Sequence, residues 1–392
     1  MRPQRRCRTT LTHDAKDLFM RQPVSILLAI TAILIGTSAL FYANILYKDY
    51  ILAAFHKYPE PVAKKLRRAL YYTNSDPQPQ EALKYYKQAL QVAAEVGMDP
   101  FSDEVMGIKI QVSGLMEGVG QYGKAAQVLE ILRTDSLGWI EKFGGRDENK
   151  AQRTRVLAKV VGISVKLGEL YSSPALYERE LAEERLVWAV ETVLNERARR
   201  LANRIPVDDE IEGRWMSDSE VGAALEALAH NYEEKDQHYL ASPLFLQALN
   251  LSPPKTCHTV VLMNNLASSL AQQSPRAAAA AAAAQASAVI SNTSSPPSAI
   301  ITRETLLENA TTWAHKALET AAAIAPPERT DECDVGCAVA THNLGEFAEM
   351  AGAVAEARRR YAEAVGLARA IGFQEGVDES SARLRKLIGA GD

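Results

Sequence analysis

The fold is decided by residues 225–253, which read LEALAHNYEEKDQHYLASPLFLQALNLSP. Apolar and small residues recur there at three- and four-residue intervals, as they do on one face of an α-helix. The same offsets return at residues 341–364, in the order Asn343, Leu344, Gly345, Ala348, Ala357, Tyr361, Ala364. Self-similarity of this kind predicts a chain built from repeated helical hairpins.

Weaker copies of the unit extend the pattern along the chain. A third unit begins at Asn265-Leu266-Ala267 and resumes at Ala310 after an interruption. Second helices are indicated at 82–89 and 125–129, and a first helix at Val161-Gly162. We expect the small residues where two antiparallel helices cross most closely, and the aromatic residues between one pair and the next. One pair cannot bury its apolar face alone, so at least three must stack.

This spacing resembles that of tetratricopeptide (TPR) repeats from about residue 62 to residue 388. The sequence therefore predicts an all-α protein, a TPR-like α-solenoid of stacked helical hairpins behind one N-terminal membrane helix. A generic helical bundle is the alternative. Four cysteines among 392 residues do not form a disulfide scaffold, and 23% charged residues exclude wholesale disorder.

Residues 22–47 form an apolar stretch without a charged side chain. About 20 apolar residues cross the hydrocarbon core of a bilayer, so a single transmembrane helix is predicted at 22–47, with the lipid bilayer around it. A buried core helix and a cleaved signal peptide are the alternatives. Small residues at four-residue spacing would let another membrane helix approach closely; they are Ala32, Gly36, Ala39 and Ala43.

Charge is distributed unevenly along the chain. The leader 1–21 holds six basic and two acidic residues, a composition typical of a mitochondrial presequence. A second basic stretch begins with the juxtamembrane segment 48–61 and reaches Arg68, with the same balance. The charges therefore do not settle the orientation of the membrane helix. The body after residue 70 is acidic, which favours basic or apolar polypeptide partners and no nucleic acid.

Two interruptions of the repeat domain 62–388 read as insertions. Residues 276–298 contain eight consecutive alanines and then a run rich in Ser, Thr and Pro, which predicts a low-complexity loop. Trp139–Asn149, with two adjacent glycines, predicts a turn between units. The segment Glu379–Ile388 predicts a polar helix that caps the array.

No motif predicts an enzyme, a cofactor or a metal. Gly118–Ala125 contains G-x-G-x-x-G and, apart from Ala125, matches a P-loop, but both motifs require a preceding strand. Val105–Met116 fits a helix instead, so the glycines predict an inter-helix turn. Cys333 and Cys337 lie one helical turn apart, without the second cysteine pair that a zinc site of this type needs. We expect them to be buried as small residues, with a redox or metal role left open.

A binding surface is predicted on the concave face that the first helices of stacked TPR pairs line. Helical spacing places eight residues there, because groups at i, i+4 and i+7 share one face; they are Glu226, His230, Glu233, Asn264, Ser268, His342, Glu346 and Glu349. This face is acidic with polar interruptions, which suits an extended basic or partly apolar polypeptide. A merely solvated surface is the alternative.

Two further segments carry a more specific resemblance. Residues 55–73 read FHKYPEPVAKKLRRALYYT, and residues 97–104 read GMDPFSDE. Beside an N-terminal anchor they resemble the fungal TPR adaptor of the mitochondrial inner-membrane i-AAA protease. The resemblance implies a matrix-facing N terminus and a TPR body in the intermembrane space. It also implies a non-catalytic substrate receptor that binds unfolded membrane-protein segments and delivers them to the AAA protease subunit, beside a fellow adaptor.

Two other functions compete with this one. A membrane-anchored protein-import receptor of the outer membrane would have the same anchor and repeats, with its body in the cytosol. An enzyme that uses the Gly118 loop is disfavoured, because Ala125 stands where a P-loop has the hydroxyl that holds magnesium.

Overall fold

The computed structural model describes residues 23–46, 55–289 and 301–389. The chain forms two compact units, residues 1–108 and 109–392, and each is described by itself. The predicted leader 1–21, the start of the juxtamembrane segment and residues 290–298 of the predicted insertion lie outside the described residues.

The first helix of the chain, α1, runs from Pro23 to Leu46. Residues Leu27–Leu46 are long and apolar enough to cross a membrane, and none of this stretch is buried. The Thr31 and Thr37 hydroxyls donate to carbonyls one turn earlier in the same helix, so their polar atoms are satisfied within α1. Helix α1 thus agrees with the predicted segment 22–47 to within one residue at each end. The packing role of its small residues stays a prediction.

A helical hairpin follows in the first unit. Helix α2 (Glu60–Leu70) leads through a short π-helical turn, Tyr71–Ser75, into helix α3 (Pro79–Glu95). Glu60 in the first turn of α2 and two arginines in its last turn complement the helix dipole. The buried faces of the two helices are made largely of small residues around Tyr86, which is 1% exposed. Helix α4 (Asp103–Gly118) comes next.

The remaining helices follow one another with short connections. They are α5 (Tyr122–Phe143), α6 (Lys150–Ser172), α7 (Arg179–Ala202), α8 (Asp218–Glu234), α9 (His238–Leu251), α10 (Cys257–Gln272), α11 (Pro275–Val289), α12 (Arg303–Ala322), α13 (Asp331–Met350), α14 (Val354–Ala370) and α15 (Gln374–Gly389). A two-residue antiparallel ladder, β1 (Asp208–Asp209) with β2 (Gly213–Arg214), lies in the connection between α7 and α8.

These helices pair in chain order, as the repeats predict. The hairpins of the second unit are α6/α7, α8/α9, α10/α12 and α13/α14, and each packs on the next along the chain. Helix α5 packs on α6, and α15 packs on α14 at the C-terminal end. The predicted TPR-like α-solenoid is therefore confirmed, and the predicted capping segment 379–388 lies within α15.

Small residues let the helices of each hairpin approach closely. A Cβ atom placed on Gly345 would lie 2.8 Å from Cδ1 of Tyr361, and one on Gly168 would overlap Cγ of Leu186. Phe245 and Tyr361 are fully buried between neighbouring helices, as predicted for the aromatic positions. In α6, however, Gly162 has no atom within 4 Å of such a Cβ. The close contact in this hairpin is thus made by Gly168, six residues later than the sequence pattern indicated.

Two loop predictions are wrong. Residues 275–289, including all eight alanines, form helix α11, because alanine has the highest intrinsic helix propensity. Trp139–Phe143 belongs to the end of α5, and the turn begins only at Gly144. The glycines after Gly118 do form an inter-helix turn, in which Gly120 adopts φ +75° and connects α4 to α5.

We predict that Gly345→Ala lowers the free energy of unfolding by about 1–3 kcal/mol, because its methyl group would overlap the Tyr361 ring. Denaturant unfolding followed by circular dichroism measures this. Gly366→Ala in α14 is the matched control: a Cβ there meets no atom within 4 Å. Replacing a helical glycine at an open position should raise stability by about 0.5–1 kcal/mol. Equal stabilities of the two variants would contradict the close crossing.

Candidate functional site

Five side chains from three successive first helices form one polar cluster, which we call the Glu–His cluster. They are Glu226, His230 and Glu233 of α8, His258 of α10 and Glu332 of α13. His258 connects the helices: its Nε2 lies 3.1 Å from Oε2 of Glu226, and its Nδ1 lies 3.4 Å from Oε1 of Glu332. The cluster therefore runs across three neighbouring repeats.

His230 lies between two carboxylates of its own helix. Its Nδ1 is 3.3 Å from Oε2 of Glu233, and its Nε2 is 3.7 Å from Oε1 of Glu226. Partial burial opposes the charged form of His230, but hydrogen bonding and attraction to Glu226 and Glu233 outweigh it and raise the pKa of His230 to about 9. This histidine is therefore protonated at neutral pH.

The cluster is open to solvent at its two histidines and at Glu332. The side chains of His230, His258 and Glu332 are 47%, 48% and 46% exposed, whereas Glu226 is 15% exposed. An incoming cation can therefore reach the Glu332 carboxylate directly, whereas the Glu226 and Glu233 carboxylates lie deeper in the cluster.

A disulfide lies directly beside the cluster. Cys257 of α10 is bonded to Cys333 of α13, with 4.6 Å between their Cα atoms and a sequence separation of 76. Each cysteine is adjacent in sequence to a member of the cluster, His258 or Glu332. The expectation that Cys333 is simply buried as a small residue is therefore wrong: it is buried, but as half of a cross-link. Cys337 is a free, partly buried thiol.

Two predicted site residues of α10 have different environments. Asn264 is 2% exposed, and its amide donates a hydrogen bond of 2.8 Å to the backbone carbonyl of Gly336 in α13. It therefore connects two helices from the inside and does not face solvent. Ser268 is partly exposed.

The predicted site residues of α13 face the capping helix. The Nδ1 atom of His342 lies 2.8 Å from the Ser380 hydroxyl, and burial lowers the pKa of His342. Arg383 donates a hydrogen bond to Glu346 and lies 3.9 Å from Glu349. Helix α15 thus covers this end of the predicted face.

Glu349 also contacts the second helix of its own hairpin. The Tyr361 hydroxyl donates to Glu349 over 2.8 Å, and burial together with this carboxylate raises the pKa of Tyr361. Both predicted glutamates of α13 are therefore engaged in the packing of the last hairpin and its cap.

Other sites are not formed by the described residues. Within 23–46, 55–289 and 301–389, no group of three His, Cys, Asp or Glu side chains is arranged to hold a metal ion. A cavity of about 330 Å³ adjoins the Gly120 turn. The element before this turn is helix α4, so the strand that a phosphate-binding loop requires does not precede it.

Sequence reasoning missed His258, Glu332 and Arg383. The dipeptides Cys257-His258 and Glu332-Cys333 could have drawn attention to the first two, since a cysteine pair would bring their neighbours together. Nothing in the sequence alone selects that pairing over the others that four cysteines allow.

No protein-family model matches the chain. The chain is similar to a TPR repeat-containing protein of Schizosaccharomyces pombe, at 27% identity over 363 residues, which cover 91% of this chain and 85% of the relative. This similarity extends over nearly the whole chain and agrees with the TPR-like hairpins described above.

Three solved structures show a partial likeness. A STAND protein with a tetratricopeptide repeat sensor from Pyrococcus horikoshii has a TM-score of 0.40 and 13% identity, covering 92% of this chain and 49% of that one. BtubC from P. vanneervenii has a TM-score of 0.37 and 12% identity, covering 80% and 91%. The TPR2AB domain of yeast Sti1, in a complex with pHSP90, has a TM-score of 0.28 and 11% identity, covering 83% and 98%. Such scores carry no argument about partners.

We predict that the double variant Cys257→Ser/Cys333→Ser loses about 2–4 kcal/mol of unfolding free energy, because the disulfide restricts a long loop of the unfolded chain. Denaturant unfolding with and without a reductant measures the loss. Cys337→Ser is the control: because it leaves the disulfide intact, reductant should lower its unfolding free energy as much as it lowers that of the wild type. A wild-type unfolding midpoint that does not respond to reductant would contradict the cross-link.

Proposed function

We propose that this chain is a non-catalytic, membrane-anchored adaptor that binds unfolded or membrane-protein segments and delivers them to an inner-membrane AAA protease. In this proposal α1 spans the mitochondrial inner membrane once, the N terminus faces the matrix, and the repeats lie in the intermembrane space. The protease subunit and a fellow adaptor are its membrane partners, and the small residues of α1 are the surface for helix packing.

The Glu–His cluster is the observation that carries the proposal. Its three carboxylates outnumber its two histidines, of which His230 is kept charged at neutral pH by its raised pKa, so the cluster carries a net negative charge and attracts cations. Helices pack about 8–10 Å apart, so three neighbouring first helices span roughly 20 Å. An extended polypeptide covers that length with about six residues. A short basic segment, such as the flank of a membrane span or a presequence, matches this charge and length.

The disulfide supports the proposed compartment. Disulfides form and persist in oxidising environments and are rare in the cytosol. The Cys257–Cys333 bond therefore favours a body in the intermembrane space over the cytosolic body of an outer-membrane import receptor. An outer-membrane import receptor remains the second candidate, on the strength of the same anchor and repeats.

We predict that Glu233→Gln/Glu332→Gln weakens binding of a lysine-rich amphipathic peptide of the presequence type roughly fivefold at physiological salt, because two attractive charges are removed without a change in shape. Fluorescence anisotropy with the labelled peptide measures the dissociation constant. The matched control is Glu308→Gln/Glu319→Gln, which neutralises two exposed carboxylates on the second helix α12. Equal affinities of the two variants would remove the cluster from the proposed function.

We predict that protease added to intact mitochondria leaves the folded body uncut, and that it is degraded once the outer membrane is opened. Immunoblotting against residues of the body provides the readout, and a known outer-membrane receptor should be cut in the same sample. Loss of the body while the outer membrane is intact would instead support the import receptor.

A further inference from the structure

We infer that the first unit carries a second membrane contact, in which the exposed face of α2 and the aromatic turn after it bind the headgroups of anionic lipids. The inference rests on the proposed membrane anchor, and it adds a surface that neither the repeats nor the anchor requires. We call this surface the basic–aromatic face; its members are Lys57, Lys64, Arg68, Tyr71, Tyr72 and Tyr85.

Charge is the first observation. Residues 55–75 contain five basic side chains and a single acidic one, in a chain whose net charge is −4. The acidic residue, Glu60, is already engaged by Arg67, which donates a hydrogen bond to it. Lys57, Lys64 and Arg68 remain exposed. The surface therefore attracts anions, in contrast to the acidic body.

The packing of α2 fixes which of its side chains face outward. Val62, Leu66 and Ala69 are 4% exposed or less, so this side of the helix is held against the hairpin. Lys64 and Arg68 stand one turn apart on the opposite side. Lys64 and Arg68 are thus presented by a packed helix, and Lys57 lies in the turn that precedes it.

The aromatic residues form the second observation. The rings of Tyr72 and Tyr85 are stacked with centroids 5.6 Å apart, and Tyr71 meets Tyr72 edge-on at 5.3 Å. The Arg68 guanidinium lies 5.6 Å from the centre of the Tyr85 ring. Tyr71 is 52% exposed. Tyrosine is enriched at membrane interfaces, where its ring contacts the acyl boundary and its hydroxyl contacts water.

The position of this face in the chain is the third observation. Eight residues lie between Leu46, the end of α1, and Phe55, the first residue described before the hairpin. A fully extended chain of that length spans at most about 30 Å. Once α1 is in a bilayer, Phe55 stays within this distance of the end of α1, and the basic–aromatic face begins two residues later at Lys57, so even a weak contact with the headgroups becomes well populated. Basic segments beside a membrane helix bind anionic lipids for the same reason.

Hydrogen exchange of the full-length protein in lipid nanodiscs tests the inference. We expect amides of residues 60–75 to exchange about threefold more slowly in nanodiscs of phosphatidylcholine with phosphatidylglycerol than in phosphatidylcholine alone. High salt should remove this difference, because exposed charges are screened. Helix α15, in the second unit, provides the internal reference.

Lys57→Glu/Lys64→Glu should abolish the protection by anionic lipid. Hydrogen exchange of this variant in phosphatidylcholine alone should match that of the wild type. Such a match would show that α2 is still folded in the variant. Lys124→Glu/Lys255→Glu reverses two exposed lysines of the second unit and should keep the full lipid effect. If amides 60–75 of the embedded wild-type protein exchange equally in both lipids, the inferred lipid contact of the basic–aromatic face is wrong, and the membrane anchor is not affected. A protein that does not stay embedded overturns the membrane anchor, and the inference with it.

Discussion

The close crossing of the two helices in each hairpin is the constraint on which the rest of the structure depends. Backbones approach closely only where one partner has little or no side chain, as at Gly345 under Tyr361 and at Gly168 under Leu186. The crossing point fixes the rotation of each first helix about its axis. Positions three residues before and one residue after the small residue then lie beside the crossing. The His342 and His230 rings at two of these positions contact the Tyr361 and Phe245 rings of the hairpin partner, with centroids 5.2 Å and 5.1 Å apart. Glu226 and His230 flank Ala229 in this way, and they reach the inner face as a consequence.

These two positions differ in exposure from one hairpin to the next, because the helix that packs against them differs. In α8 these positions face α10, whose His258 leaves them partly open and charged. In α13 they face α15, whose Arg383 and Ser380 engage them. In α10 the equivalent residue, Asn264, is enclosed because Gly336 lets α13 approach: a Cβ on Gly336 would lie 2.9 Å from Cγ1 of Val260. The buried amide then satisfies the Gly336 carbonyl.

These differences explain what could be predicted from the sequence. The hairpins were predictable because small and aromatic residues recur at fixed offsets, and α1 was predictable from an uninterrupted apolar run. The alanine run was misread because low complexity was weighed above helix propensity, which is highest for alanine. The Cys257–Cys333 bond joins residues 76 positions apart, and only the stacking of α10 on α13 brings them together. Which inner-face residues remain open depends on neighbours that no local pattern identifies.

The cross-link and the charge distribution together suggest why the two proposed binding surfaces do not compete. The disulfide joins the N-terminal ends of α10 and α13, and thereby holds His258 and Glu332 where carboxylates from separate repeats act as one anionic site. Anionic headgroups are repelled by that site and attracted to the basic face of α2, whereas a basic client has the opposite preference. In the proposed function, a client flanked by lysines would leave the lipid surface for the Glu–His cluster without losing electrostatic attraction, while lipid would remain bound to the basic–aromatic face.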